Sequence, residues 1–152
     1  DLVFFDGEEY DPASPTRSLA WHPLGSNRFA KRLDAHYPNG KPEAAIVIDM
    51  VCDTDLHFLR ETSSMRNAKD VTDLLWKVGG EIAPDAFAGS KTISVHDDHL
   101  PLQRVGVPAA LLIDLDYDAW HTERDTIDRC SEKSMQIVLE TLEGFLKEYA
   151  DR

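Results

Sequence analysis

Two largely apolar runs, Ala44–Val51, interrupted at Asp49, and Pro108–Leu115, are separated by segments whose apolar residues recur at helical spacing. This alternation narrows the fold more than any other feature of the chain. A run of four to eight apolar residues between turn signals reads as a strand buried in a core. Strands that alternate with amphipathic helices pack those helices against a shared sheet. The expected fold is therefore α/β, a three-layer sandwich with a mostly parallel or mixed central sheet flanked by helices.

The helical segments carry their own punctuation. Ser26 is placed to cap a helix with Phe29, Ala30, Leu33 and Tyr37 on one face, ended by Pro38-Asn39-Gly40. Asp70 is expected to cap a second helix whose face is Val71, Leu74, Leu75 and Val78, with Gly79-Gly80 as its stop. Ser131 opens a third, with Met135, Val138, Leu139, Leu142, Phe145 and Tyr149 as its apolar stripe. A shorter strand, Thr92–Val95, leads into His96-Asp97-Asp98-His99 and a helical turn through Leu102. A further apolar run, Leu2-Val3-Phe4-Phe5, reads as a strand that Asp6-Gly7 turns into Glu8-Glu9. The first residue, Asp1, is read as already inside that strand, so the sandwich is expected to be truncated on its N-terminal side, with an open sheet edge there. Residues 10–25 are polar and contain Pro12, Pro15 and Pro23. A connection of that length reads as a binding or lid segment.

The 152 residues suffice for a single domain spanning 1–152 with a sizeable core. A net charge of −12 argues against nucleic acid or an anionic membrane surface as partner, because both are approached with Lys/Arg patches. No apolar stretch approaches the roughly 18 residues of a membrane span, so no membrane insertion is expected. Cys52 and Cys130 match no CxxC metal pattern and read as ordinary free thiols, which leaves the redox compartment open.

Candidate chemistry gathers at or just beyond the C-terminal ends of the expected strands, where open α/β sheets collect ligands. Glu8-Glu9 can serve a metal ion with one carboxylate and a proton with the other. The pair could equally be a solvated turn. Asp49 stands inside Ile46-Val47-Ile48-Asp49-Met50-Val51, where a carboxylate needs a cation, a donor or a shared proton. A strand-end aspartate bonded to backbone amides would satisfy the same requirement. Asp97-Asp98 could cap the helical turn that follows, which accounts for one aspartate better than for both. His121 follows Trp120, and a tryptophan beside a candidate metal ligand makes an apolar wall for a small substrate group. Together these groups suggest a site of zinc-hydrolase type. His22, His36, His57, His96 and His99 read as surface, loop or packing residues.

These segments, in order, resemble the zinc aminopeptidase superfamily that includes the animal-type glutaminyl cyclases. The matching pieces are Val3-Phe4-Phe5-Asp6-Gly7-Glu8-Glu9, Gly25-Ser26, Ile48-Asp49-Met50, Asp97-Asp98-His99-Leu100-Pro101-Leu102, Val105-Gly106-Val107-Pro108 and Trp120-His121-Thr122. The resemblance implies a zinc cofactor, with Glu9 and His121 as ligands and Glu8 as the catalytic acid and base. Asp49 would bind a second zinc in a dizinc aminopeptidase, or join an acidic hydrogen-bond network in a single-zinc cyclase. Asp97 would share a proton network with Glu8 and contact the substrate, and Trp120 would line the substrate pocket. The implied substrates are peptide or protein N-termini, and the implied location is secreted or periplasmic. The family places a further aspartate ligand upstream of the Phe-Phe-Asp-Gly-Glu-Glu segment. The chain alone is thus expected to bind zinc poorly and to be inactive, as the C-terminal portion of such an enzyme.

Two activities fit. A glutaminyl-peptide cyclotransferase would close an N-terminal glutamine on itself and release ammonia, and an aminopeptidase would hydrolyse the first peptide bond. Asp97-Asp98-His99 and Trp120 favour the cyclase within the resemblance. A non-catalytic domain that retains the fold is the third reading.

Overall fold

The computed structural model describes residues 1–7, 23–120 and 122–152. Among these, the helices are α1 (Leu24–Lys31), α2 (Leu33–His36), α3 (Thr62–Asn67), α4 (Lys69–Ile82), α5 (His99–Arg104) and α6 (Glu132–Ala150). The strands are β1 (Ala45–Asp49), β2 (Arg60–Glu61), β3 (Thr92–Ile93) and β4 (Ala109–Ile113). β1 pairs with β4 and β2 with β3, both in parallel, as the α/β expectation requires.

β4 is the centre of the molecule, and all of its residues are buried. Successive strand side chains point to opposite faces. Ala110 and Leu112 accordingly meet α4 and α6 through Leu74, Leu75, Val78, Val138 and Phe145. Ala109, Leu111 and Ile113 meet the opposite layer with Leu33, Val47, Leu102 and Val107. Helices thus cover both faces of β1–β4, giving the three-layer arrangement. Each Leu or Ile buried there stabilises the fold by about 1.5–3 kcal/mol.

Several local expectations are corrected. Residues 1–7 form no strand, and Leu2 and Phe4 are 80% and 86% exposed. A strand needs a paired neighbour, and among the described residues none lies beside this run. Phe5 instead rests edge-on against Phe29 of α1, with ring centroids 5.5 Å apart. β1 is only partly covered, Val47 being buried while Ile48 is exposed. Pro23, not Ser26, occupies the cap position of α1; its fixed φ suits a helix entry. α4 begins at Lys69, with Asp70 inside its first turn.

Gly79-Gly80 does not stop α4, which runs on to Ile82. Gly79 is there to admit a ring: a Cβ at this position would lie 2.2 Å from Phe87 Cζ. Phe87 in turn packs against Phe58 and Trp76. Ser131 does cap α6, its Oγ accepting from the Ser134 amide at 3.3 Å. The buried stripe of that helix runs through Val138, Thr141 and Phe145, while Met135 and Leu139 are exposed.

The free-thiol reading of the cysteines is also overturned. Cys52 and Cys130 form a disulfide, their Cα atoms 4.7 Å apart. An antiparallel bridge between Asp53 and Cys130 and the bond from Ser131 N–H to Cys52 O (2.6 Å) bring the two segments together. The sequence spacing held no sign of this contact, because the chain makes it through a long excursion.

Candidate active site

Because β1 and β4 are parallel, their C-terminal ends open on the same side. Register sets Asp49 opposite Ile113, so Asp49 and Asp114 close the two strands almost side by side. α5 packs on both strands. Gln103, near its C-terminal end, donates to Ala109 O at the start of β4 (2.7 Å). The opposite end of α5, which begins just after Asp97-Asp98, therefore points toward the end of β4 that carries Asp114. Register thus places Asp49 and Asp114 at the end of the sheet where α/β folds bind ligands, while Asp97 and Asp98 lead into α5, which packs on both strands.

Each carboxylate has a distinct setting. Asp97 and Asp98 are nearly buried, at 4% and 8% exposure. Asp98 stands at the N-cap position of α5, but its side chain makes no capping bond. The Asp97 carboxylate accepts instead from the amide of Asp98. Burial raises the pKa of Asp98, against the opposing hydrogen bond from Ser26 and the nearby His99. Its Oδ1 has no hydrogen-bond partner among the described residues. Asp49 is half-buried, and Met50 directly after it adopts a left-handed backbone (φ 49°), uncommon for a residue with a side chain. Such strained conformations cluster at functional sites.

Asp114 was not singled out by sequence, although a carboxylate inside Ala109–Leu115 carries the same warning as Asp49. It is fully buried and accepts from the amides of His57 (2.8 Å) and Asp116 (3.1 Å). Burial raises its pKa against those bonds. Its position joins the loop after Cys52 to the loop that leads to Trp120.

Beneath the Asp97-Asp98 turn lies a second group that sequence reading missed. Glu61, 1% exposed, caps α3 by accepting from the amides of Ser63 (2.8 Å) and Ser64 (2.6 Å). It also accepts from the Ser64 hydroxyl (3.0 Å) and lies 3.2 Å from His99 Nε2. Burial alone would raise its pKa, but the hydrogen bonds from His99, Ser63 and Ser64 outweigh this and hold it at about 2. An ionised carboxylate only accepts, so His99 Nε2 carries the proton. Glutamate is a rare cap beside Ser, Thr, Asp and Asn, which is why its role was hidden.

Trp120 is half-exposed on the loop after β4. Its backbone N–H donates to Tyr117 O (3.2 Å), and Arg124 and Arg129 both reach Asp118. Tyr117 Oη donates to Asp125 (2.8 Å). These bonds hold the loop while leaving part of the indole face open.

Glu8, Glu9 and His121 lie outside the described residues. The residues before Glu8 are anchored: Leu24 N–H donates to Gly7 O (3.2 Å), and a Cβ on Gly25 would sit 2.4 Å from Asp6 O. Gly7 takes φ +68°, the left-handed turn that its lack of a side chain permits. Among the described residues no group of three or more His, Cys, Asp or Glu side chains could hold a metal. Of the implied donors only Asp49 is described, and a half-buried carboxylate at a strand end is a suitable zinc donor.

Residues 1–146 match the family model described as Peptidase family M28. No curated protein matches the chain. Among solved structures, the Fimbriiglobus ruber glutaminyl cyclase is similar at 32% identity and a TM-score of 0.81, over 93% of this chain and 50% of that one. The Tannerella forsythia glutaminyl cyclase is 27% identical with a TM-score of 0.76, over 93% and 52% respectively. A Zn-dependent exopeptidase from Parabacteroides distasonis shares the fold, at 23% identity, a TM-score of 0.76, and 91% and 51% coverage. The chain spans about half the length of each of these structures. With nearly all of its residues matched by the family model, the chain belongs to peptidase family M28.

Proposed function

We propose that this chain is part of a zinc-dependent glutaminyl-peptide cyclotransferase that acts on peptide N-termini. The observation that carries the reading is the nearly buried Asp97-Asp98 turn at the start of α5. The greater sequence likeness to the Fimbriiglobus ruber cyclase than to the exopeptidase supports the same choice. Glu9 and His121 would hold zinc, with Asp49 joining the acidic network around it. When bound, zinc polarises a carbonyl oxygen as a Lewis acid.

The chain's own residues supply the rest. Glu8 takes a proton from the substrate α-amine as it attacks the side-chain amide carbon, then passes it to the departing ammonia. Because the attack is intramolecular, orientation supplies much of the acceleration. Asp97 accepts a hydrogen bond from the reacting amine and holds it in line. Trp120 offers the apolar wall against which the substrate side chain packs. The Cys52–Cys130 disulfide supports an oxidising location, secreted or periplasmic.

The M28 membership also fits an aminopeptidase, in which Glu8 would take its proton from an attacking water and Asp49 would hold a second zinc. Metal analysis of the full-length protein separates the two: one zinc per chain supports the cyclase, two the peptidase. Glu8→Gln should abolish turnover of glutaminyl and aminoacyl substrates with zinc still bound. Undiminished turnover on either substrate would refute the role of Glu8 and the mechanism built on it.

A further inference from the structure

We propose that the Cys52–Cys130 disulfide is a clamp that fixes the loop bearing Trp120 against the segment after Asp49, so that both cysteines are positioning residues for the substrate wall. The inference rests on the substrate role given to Trp120 above. Residues 115–129 run from the end of β4 toward α6 with little core beneath them. Among those described only Ala119 is buried, and 122–128 are exposed. Arg124 and Arg129 on Asp118, and Tyr117 on Asp125, tie the loop to itself. Such internal bonds give a loop its shape and leave its placement to its two ends.

Both ends are fastened to the same short stretch. At the start, Asp114 accepts from the His57 amide (2.8 Å). At the finish, Cys130 is bonded to Cys52 and pairs with Asp53 in an antiparallel bridge. Ser131 N–H donates to Cys52 O and the Ser134 hydroxyl to Asp53 O, each at 2.6 Å. Residues 52–57 follow closely on Asp49 and the left-handed Met50. The placement of Trp120 relative to Asp49 is therefore set through one segment held at two points. Cys130 is exposed, so water competes for the hydrogen bonds around it, and bonds of modest net strength open readily there. The covalent link has no such competitor. A disulfide stabilises a fold mainly by constraining the unfolded chain, which leaves local geometry untouched, so stabilising and positioning can be measured apart.

The test compares the full-length protein, with zinc supplied, with its Cys52→Ala/Cys130→Ala double variant. In hydrogen exchange, peptides within 115–129 should open about tenfold faster in the double variant, while α4 and β4 keep their rates at short labelling times. KM for a glutaminyl peptide should rise about tenfold with kcat within about threefold, the signature of lost substrate binding. Should the double variant fail to fold, the folded unmodified protein is reduced with a phosphine, which takes oxygen from water as the two sulfurs become thiols. The same changes are then expected. Unchanged exchange in 115–129 would overturn the proposal. So would faster exchange spread evenly over the loop, α4 and β4, or an unchanged KM in an active protein, since the bond would then only stabilise the fold. A protein inactive on both substrate classes would refute the proposed function, while the exchange comparison would still decide the clamp.

Discussion

Gly79 and Gly80 are neighbours in α4 with opposite burdens. A methyl at Gly79 would press into the Phe87 ring, whereas one at Gly80 would meet nothing within 4 Å. In a helix interior alanine is favoured over glycine by about 1 kcal/mol. Overpacking a well-filled core costs about 1–3 kcal/mol. Gly80→Ala should therefore raise the unfolding free energy by up to about 1 kcal/mol, and Gly79→Ala should lower it by about 1–2 kcal/mol. Urea unfolding of both variants checks the contrast, and equal effects would contradict the packing described for Phe87. The pair also shows why the glycines looked like a stop in the sequence. Composition signals flexibility, but it does not reveal that a ring from residue 87 needs the space.

At the level of elements, α3 depends on Glu61, and that dependence has a pH signature. The folded pKa of about 2 lies below the ordinary glutamate value of 4.5, so the carboxylate contributes stability in full above about pH 4.5 and loses it as pH falls through about 2. Asp98 and Asp114 act in the other sense: their raised pKa values favour the fold at low pH, and that contribution is lost as pH rises. Because these effects overlap, the difference between the unmodified protein and Glu61→Gln is the clean observable. That difference should shrink by about 3 kcal/mol between pH 6 and pH 2 in urea titrations, and a constant difference would dissociate Glu61 from the cap. Elements with strong periodicity were legible in sequence: β1 and β4 fall within the segments expected of them, and α4 and α6 form where their apolar stripes were read, although α4 overruns both of its expected ends. The ends were less so, since Pro23 and Glu61 do work that sequence rules assign to Ser and Asp. Of the candidate site, Asp49 and Asp97 were singled out because charge inside or beside an apolar run needs an explanation. His99 and Ser64 were missed because their importance lies in partners from other elements, which no local pattern encodes.

Across the whole molecule, the Cys52–Cys130 bond closes a loop with a sequence separation of 78. Constraining an unfolded chain over such a span is worth roughly 4 kcal/mol in the loop-entropy model. Reduction should lower the urea midpoint accordingly, and a midpoint indifferent to reductant would show that the unfolded chain is already compact. The parallel pairing of Ala45 with Ala109 raises a kinetic problem that no static contact shows. These partners are distant in sequence, so the pairing must wait for loop closure and belongs to the slow class of folding events. Until then Ala109–Ile113, fully buried in the finished sheet, is exposed to other chains as a sticky segment. The strand around which the native structure is built is thus also the segment most exposed to aggregation during folding, and refolding yield should fall steeply as protein concentration rises.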